Sequence, residues 1–229
     1  MPEENTSAEK KFELSPSISV LVAGVLVAGA IVFVNLNPSQ PVVAVGEPVT
    51  QANIPLPNTN DYLRGSPDAP IVLVEYSDFQ CPYCAMIHPT LKRIVEESNG
   101  QIAWIYRHLP LESIHQQALP AALAAECIGE QLGSAGFWAF ADSIFDDQSG
   151  MSGARYTSFA QGLGADVTQF NACVASEKYL SKIDAQALEA QSNGGTGTPF
   201  TVVIAGDTQK TISGALPYAQ IMAVINSVR

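Results

Sequence analysis

Cys81 and Cys84 are separated by Pro82 and Tyr83, a spacing that allows either a small redox-active disulfide ring or shared binding of a metal ion. A zinc site would need a second pair of ligands, and the other two cysteines of the chain are isolated from each other. A covalently attached haem would need histidine directly after the second cysteine, where Ala85 stands. The pattern favours thiol–disulfide exchange, with a purely structural disulfide as the remaining alternative.

The elements around the motif predict which cysteine reacts first. A β-branched run over residues 71–76 reads as a buried strand, and a helix is expected to begin near Cys81 and to end near Glu97. At a helix N-terminus, unpaired N–H groups and the helix dipole favour a thiolate, so Cys81 is the expected nucleophile. Cys84, one turn further on, is placed to resolve a mixed disulfide, and Pro82 suits the first helical turn.

The remaining elements predict an α/β domain with a mixed sheet and a helical insertion at about 112–191. A second strand is expected at 102–107, before the insertion, and a hairpin with a turn at Gly206-Asp207 follows it. The other expected ranges are helices at 119–131, 137–145, 155–163 and 167–191, strands at 200–204 and 209–212, and a last helix opened by Pro217.

Composition excludes several classes of protein. The 229 residues include 11 Lys or Arg and 22 Asp or Glu, so the formal net charge is −11. This acidic balance argues against nucleic-acid binding, which needs clustered basic residues. The hydrophobic fraction of 47% excludes wholesale disorder.

Residues 18–36 read as a transmembrane anchor. Positions 18–34 carry no charge, Lys10 and Lys11 precede them, and no basic residue follows until Arg64. This asymmetry predicts a cytoplasmic tail at 1–17 and an extracytoplasmic remainder. The alternative is a signal peptide cleaved after Ala28-Gly29-Ala30.

A proline-rich linker is predicted at 37–65, before a globular domain at 66–229. The linker is too short to form a folded dimerisation domain, so we expect a monomer. Under either reading of the N-terminus the domain is exported, to a compartment where disulfides persist.

Five segments of the sequence resemble the DsbA-like thiol–disulfide oxidoreductases. The resemblance implies a thioredoxin-like fold with an inserted helical subdomain and activity on reduced exported proteins. The segments are VLVEYSDFQCPYC (72–84), RHLPL (107–111), AAECIGEQ (124–131), FNACVASEKY (170–179) and GTGTPF (195–200).

The resemblance also implies roles for single residues. Thr198 and Pro199 match the family's cis-proline loop, which faces the cysteine pair and binds extended substrate. Glu75 matches the buried acid that exchanges a proton with the second cysteine; the alternative is a glutamate at an exposed strand end. Tyr83 stands where the most oxidising members have histidine, so we expect a milder oxidant.

Cys127 and Cys173 each follow apolar residues on a helical face, so both thiols are expected to point toward a helical core. A structural disulfide between them is the favoured interpretation, since some DsbA-like proteins have a second disulfide. Two buried free thiols are the alternative, and the sequence does not choose among the three possible connectivities.

The histidines and the aspartate cluster look ordinary in the sequence. His88 is expected to face solvent, and His108 and His115 show no carboxylate pattern around them. Asp142 lies near a helix end, as one of several acids that read as a solvated face.

The leading hypothesis is a membrane-anchored oxidase that passes a Cys81–Cys84 disulfide to exported proteins and is re-oxidised by a membrane partner. It needs no cofactor and no metal. One alternative is a disulfide isomerase or reductase of exported proteins. An alternative of another class is a non-catalytic module that binds clients or carries a metal.

Overall fold

The structure, a computed structural model, describes residues 51–229. Within this range, five strands and six helices follow one another in the order β-β-α-β-α-α-α-α-β-β-α. The strands are β1 (Tyr62–Arg64), β2 (Ile71–Ser77), β3 (Ile102–His108), β4 (Phe200–Ala205) and β5 (Thr208–Ser213). The helices are α1 (Pro82–Glu97), α2 (Ala118–Asp146), α3 (Gly153–Gly162), α4 (Val167–Ala175), α5 (Leu180–Ser192) and α6 (Tyr218–Asn226).

The strands form one mixed sheet in the order β1-β3-β2-β4-β5. β2 and β3 run parallel and are joined through α1, whereas the other three pairs are antiparallel. The parallel register places Glu75 opposite Tyr106 and Ser77 opposite His108. The carboxyl end of β2 therefore lies in the middle of the sheet, directly before the cysteine motif.

Side chains alternate between the two faces of the sheet, as in any strand pair. One face carries Leu73, Glu75 and Trp104 and packs against α1 and α2, whose buried side chains belong to the same hydrophobic cluster. The other face carries Val74 and Ile105 and is covered in part by residues of α5. Both faces are thus buried, which explains the nearly continuous apolar run of β2.

The predicted α/β domain is confirmed, with a mixed sheet and a helical insertion between β3 and β4. α2 breaks at Gly133, whose φ is 66°, close to the expected gap between two helices. One difference lies in the expected helix 167–191, which is two helices. α4 ends at Ala175, and Glu177, at a φ of 50°, prevents the helix from continuing.

The second half of the predicted linker belongs to the folded domain. Tyr62–Arg64 pairs with β3, and the Tyr62 ring packs so closely on α2 that a Cβ at Gly129 would lie 2.3 Å from it. Ile54 is 3% exposed, and its backbone N–H and carbonyl both bond the Gln209 side chain. The prediction missed this because prolines dominate the segment and β1 has only three residues.

The predicted tail at 1–17, the anchor at 18–36 and the linker up to residue 50 lie outside the described residues. Within 51–229, no helix combines the length and the apolar character that crossing a bilayer requires.

Candidate active site

Cys81 caps the N-terminus of α1. Its backbone is extended (φ −72°, ψ 123°), Pro82 occupies the first helical turn, and the Ala85 N–H donates the first helical bond to the Cys81 carbonyl. Proline fits here because its missing N–H would have no partner within the helix. The next two N–H groups, of Tyr83 and Cys84, are left facing the Cys81 sulfur.

This arrangement stabilises a thiolate at Cys81. A hydrogen bond from the Cys84 thiol, the Thr198 side chain and the backbone N–H groups of Cys84 and Tyr83 outweigh burial and lower the pKa of Cys81 to about 5. Thiol pKa values are about 7 in thioredoxin and about 3.5 in DsbA, so Cys81 lies between them. Cys81 is only 3% exposed, but its neighbour Tyr83 is 59% exposed.

Cys84 has the opposite environment. Its side chain is fully buried, and burial, the bond to Cys81 and the charge of Glu75 raise the pKa of its thiol well above the ordinary value. The two cysteines are free thiols in this structure. The two neighbouring thiols thus differ strongly in acidity. This difference suits Cys81 as the nucleophile and Cys84 as the group that leaves and then takes up a proton.

Glu75 is buried on β2 beneath the motif, with no exposed surface, rather than at an open strand end. Burial raises the pKa of this carboxyl to about 7, although the Ser77 hydroxyl and the Trp104 indole act to lower it. The Trp104 indole N–H donates a hydrogen bond, with 3.1 Å between Nε1 and Oε2. A carboxyl with this pKa changes its charge close to neutral pH, as a proton donor and acceptor requires.

The loop before β4 brings Thr198 and Pro199 to the cysteines. The Cys81 thiol lies 3.5 Å from the Thr198 carbonyl oxygen, and the Thr198–Pro199 peptide bond is cis. Gly195 allows the loop to pass close to Phe200, since a Cβ there would lie 2.8 Å from the ring. Five of the seven predicted residues therefore lie close together, whereas Pro82 and Tyr83 are exposed beside them. The five are Glu75, Cys81, Cys84, Thr198 and Pro199.

Cys127 and Cys173 do not belong to this place. They form a disulfide that joins α2 to α4, two helices of the insertion. Cys127 is fully buried and Cys173 half-buried, so only one of the two lies deep in the helical core.

Two residues that hold the motif were missed in the sequence. Asp78 accepts the Gln80 N–H on Oδ1, and on Oδ2 it accepts the Leu111 N–H and binds His115 Nδ1 at 2.7 Å. Gln148, after α2, donates from Nε2 to the carbonyl oxygens of Phe79 and Cys81. The turn at Asp78 could have been recognised in the sequence, because aspartate commonly accepts the N–H of the residue two positions later. No sequence pattern indicates the role of Gln148, whose partners are 67 and 69 positions away.

The histidines were wrongly interpreted. His88 is 4% exposed and binds Asp142 at 2.7 Å, although it was expected to face solvent. His108 is 1% exposed and pairs with Glu126 at 3.0 Å. Periodicity failed here because the carboxylate partners come from α2, far away in the sequence.

The comparisons with known proteins agree with the geometry. A family model described as Thioredoxin matches residues 57–227. The structure of Pseudomonas aeruginosa DsbA2 aligns with a TM-score of 0.63 and 27% identity, over 76% of this chain and 97% of that one. BdbD from Bacillus subtilis, in its oxidised form, aligns with a TM-score of 0.68 and 18% identity, over 80% and 98%.

A curated relative is the Na(+)/H(+) antiporter NhaA 1 of Salinispora arenicola, 32% identical over 158 residues. The match covers 68% of this chain and 24% of the relative, so the chain spans about a quarter of the length of the curated relatives it matches. The resemblance to DsbA-like proteins is confirmed by the fold and by the family match. The chain belongs to the thioredoxin family.

Proposed function

We propose that this protein is an extracytoplasmic thiol–disulfide oxidoreductase that introduces disulfides into exported proteins through Cys81 and Cys84. The observation that carries the proposal is the unequal pair of thiols, one with its pKa lowered to about 5 and one with its pKa raised by burial. Thermodynamically, a thiolate stabilised in the reduced protein makes the disulfide form a stronger oxidant. The direction of transfer proposed here is therefore toward the client.

The reaction begins with a Cys81–Cys84 disulfide. A client thiolate attacks Cys81 Sγ, a client–Cys81 mixed disulfide forms, and Cys84 leaves as a thiolate. Cys84 then takes a proton, which a protonated Glu75 supplies from the buried side. A second client thiolate attacks the client sulfur of the mixed disulfide, so that the client gains the disulfide and Cys81 leaves as a stabilised thiolate.

The loop of Thr198 and Pro199 is proposed to bind the client. Thr198 is half-buried and its carbonyl lies against the Cys81 thiol, so an extended peptide placed along the loop would bring a cysteine to that sulfur. Such binding uses backbone groups and tolerates many client sequences, as a general oxidase requires.

The dithiol left after each cycle needs an electron acceptor, which we propose to be a membrane redox partner. Anchoring through residues 18–36 would keep the domain near such a partner. The test of the anchor is extraction of the full chain from membranes by detergent but not by high salt or alkali, with the cysteine domain open to protease from outside. Release by salt alone would contradict it.

One set of assays tests the activity. We expect the full chain to oxidise a reduced two-cysteine peptide, and to rearrange the disulfides of a scrambled protein more slowly than it oxidises the peptide. The Cys81→Ser variant should be inactive. A dominant isomerase activity would replace the oxidase proposal, and a lack of both activities would leave a binding module. The Glu97→Gln variant, changed at an exposed ion pair at the far end of α1, is the matched control.

A further inference from the structure

The hydrogen bond between Trp104 and Glu75 makes the charge of the buried acid depend on where an indole ring points. Among residues 51–229, Oε1 of Glu75 has no hydrogen-bond partner, whereas Oε2 accepts the Trp104 N–H. A hydrogen bond to the carboxylate favours its ionised form. Three titratable groups of the described residues lie near Glu75. They are the thiols of Cys81 and Cys84, at the start of α1, and the Tyr106 phenol of β3.

Three side chains pack against the Trp104 ring. His88 meets its ring edge-on at 4.9 Å between ring centroids, and the Trp138 ring lies at 4.5 Å. The Arg64 guanidinium, opposite Trp104 in the strand register, lies 5.5 Å from the Trp104 ring and 4.3 Å from that of Trp138. The ring can turn only if these neighbours move.

Asp142 of α2 holds two of the three. Its Oδ1 and Oδ2 both accept from Arg64 Nη2, at 2.9 and 2.8 Å, and Oδ1 also lies 2.7 Å from His88 Nε2. Burial lowers the pKa of His88, so the imidazole is neutral at pH 7, and a carboxylate partner requires the proton on Nε2. Lys92 adds a longer contact of 3.3 Å from its more exposed position.

We propose that Asp142 is a positioning residue for the active site: by binding His88 and Arg64, it holds the Trp104 ring in the orientation that donates to Glu75. The helical insertion thereby contributes to the proton chemistry of a site built on the sheet and α1. The inference rests on the proposed function in one respect, the role of Glu75 as the proton shuttle.

The direction of a titration separates this role from simple electrostatics. Loss of the negative charge of Asp142 would, by itself, favour a nearby carboxylate and lower the pKa of Glu75. Loss of the Trp104 hydrogen bond would raise it. The two explanations therefore predict opposite signs for the same substitution.

The experiment follows the carboxyl carbon resonance of Glu75 against pH in the oxidised full chain, assigned through Glu75→Gln. We expect Trp104→Phe to raise the midpoint by about 0.5 to 1 pH unit, the effect of one hydrogen bond. Asp142→Ala should raise it by a smaller amount, and should add no rise in the Trp104→Phe background. Asp142→Asn, which keeps the side-chain shape, serves if the alanine variant does not fold.

The matched control is Glu97→Ala, which removes another ion-paired carboxylate and should leave the midpoint unchanged. The proposal is overturned if the Glu75 midpoint falls or stays the same in Asp142→Ala. It is also overturned if Asp142→Ala raises the midpoint as much in the Trp104→Phe background as it does in the wild type. Because the resonance is read without any client, a failure of the positioning role is distinct from a failure of the oxidase activity.

Discussion

The Cys81 thiol contacts the Thr198 carbonyl oxygen across 117 positions of the sequence, at 3.5 Å. The contact joins the two parts of the chain that flank the helical insertion, because Cys81 follows β2 and Thr198 precedes β4. These strands are hydrogen-bonded neighbours with Tyr76 opposite Phe200, so their ends bring the motif and the loop together. The insertion can therefore vary without separating the reacting sulfur from the proposed client-binding backbone.

The first prediction concerns the acidity of Cys81. In the reduced protein, the thiolate absorbance should appear with a midpoint near pH 5, and Cys81→Ser should abolish that titration. The pKa is lowered by folding, so the thiolate contributes stability above its unfolded pKa, and this contribution is lost as pH falls through about 5. The unfolding free energy of the reduced protein, relative to the oxidised one, should rise between pH 5 and 8; a flat difference would contradict the prediction.

The second prediction concerns Tyr83. Tyr83→His should lower the pKa of Cys81 by at least about half a unit, because an imidazolium near the sulfur favours the thiolate. The same change should make the disulfide more oxidising. The measurements are the thiolate titration and redox equilibration with glutathione. Tyr83→Phe, which adds no charge, should behave as the wild type, and an equal effect of both variants would show that charge is not the cause.

The third prediction concerns the buried acid. The pKa of Glu75 is raised by folding to about 7, so its contribution to stability is present at low pH and is lost as pH rises through 7. In Glu75→Gln this fall in stability does not occur, because glutamine does not ionise. Relative to wild type, the variant should gain about 2 kcal/mol of stability between pH 5 and pH 8, measured by urea unfolding of the oxidised protein. A pH-independent difference would show that Glu75 stays in one protonation state.

Much of this site could be predicted from local sequence. The Cys-x-x-Cys spacing, the strand before it and Pro82 at the first helical turn are all short-range signals, and they place Cys81 at a helix N-terminus correctly. The break of α2 near Gly133 also follows from local residues. Features of this kind depend on a few adjacent positions, which a single sequence shows directly.

The charged partners could not be predicted in this way. Asp142 is 54 positions from His88 and 78 from Arg64, and its exposed-looking place near a helix end gave no hint of either. Buried ion pairs are set by which faces of distant elements meet. That information lies in the tertiary fold rather than in periodicity or composition.

The fourth prediction concerns the second disulfide. Replacing Cys127 and Cys173 together by alanine should lower the free energy of unfolding by about 2 to 4 kcal/mol, because the bridge closes a loop of 46 positions. Peptide oxidation below the unfolding temperature should persist, since the bridge lies in the insertion. Thermal and urea unfolding measure the first effect. Loss of oxidation in a folded variant would assign the bridge a role in exchange.

The fifth prediction concerns the segment before β2. Arg107 is 2% exposed and binds Asp61 through two bonds of 2.9 Å, while it also donates to the Pro55 carbonyl. Asp61→Ala removes two charge-assisted hydrogen bonds from a buried guanidinium, which keeps Glu189 as its other carboxylate partner at 2.6 Å, so the domain should be destabilised by about 2 kcal/mol. A chain that starts at residue 66 should lose more, since it also lacks β1, whereas one that starts at 51 should unfold like the full domain. Equal stability of these two truncated chains would show that residues 51–65 are a linker after all.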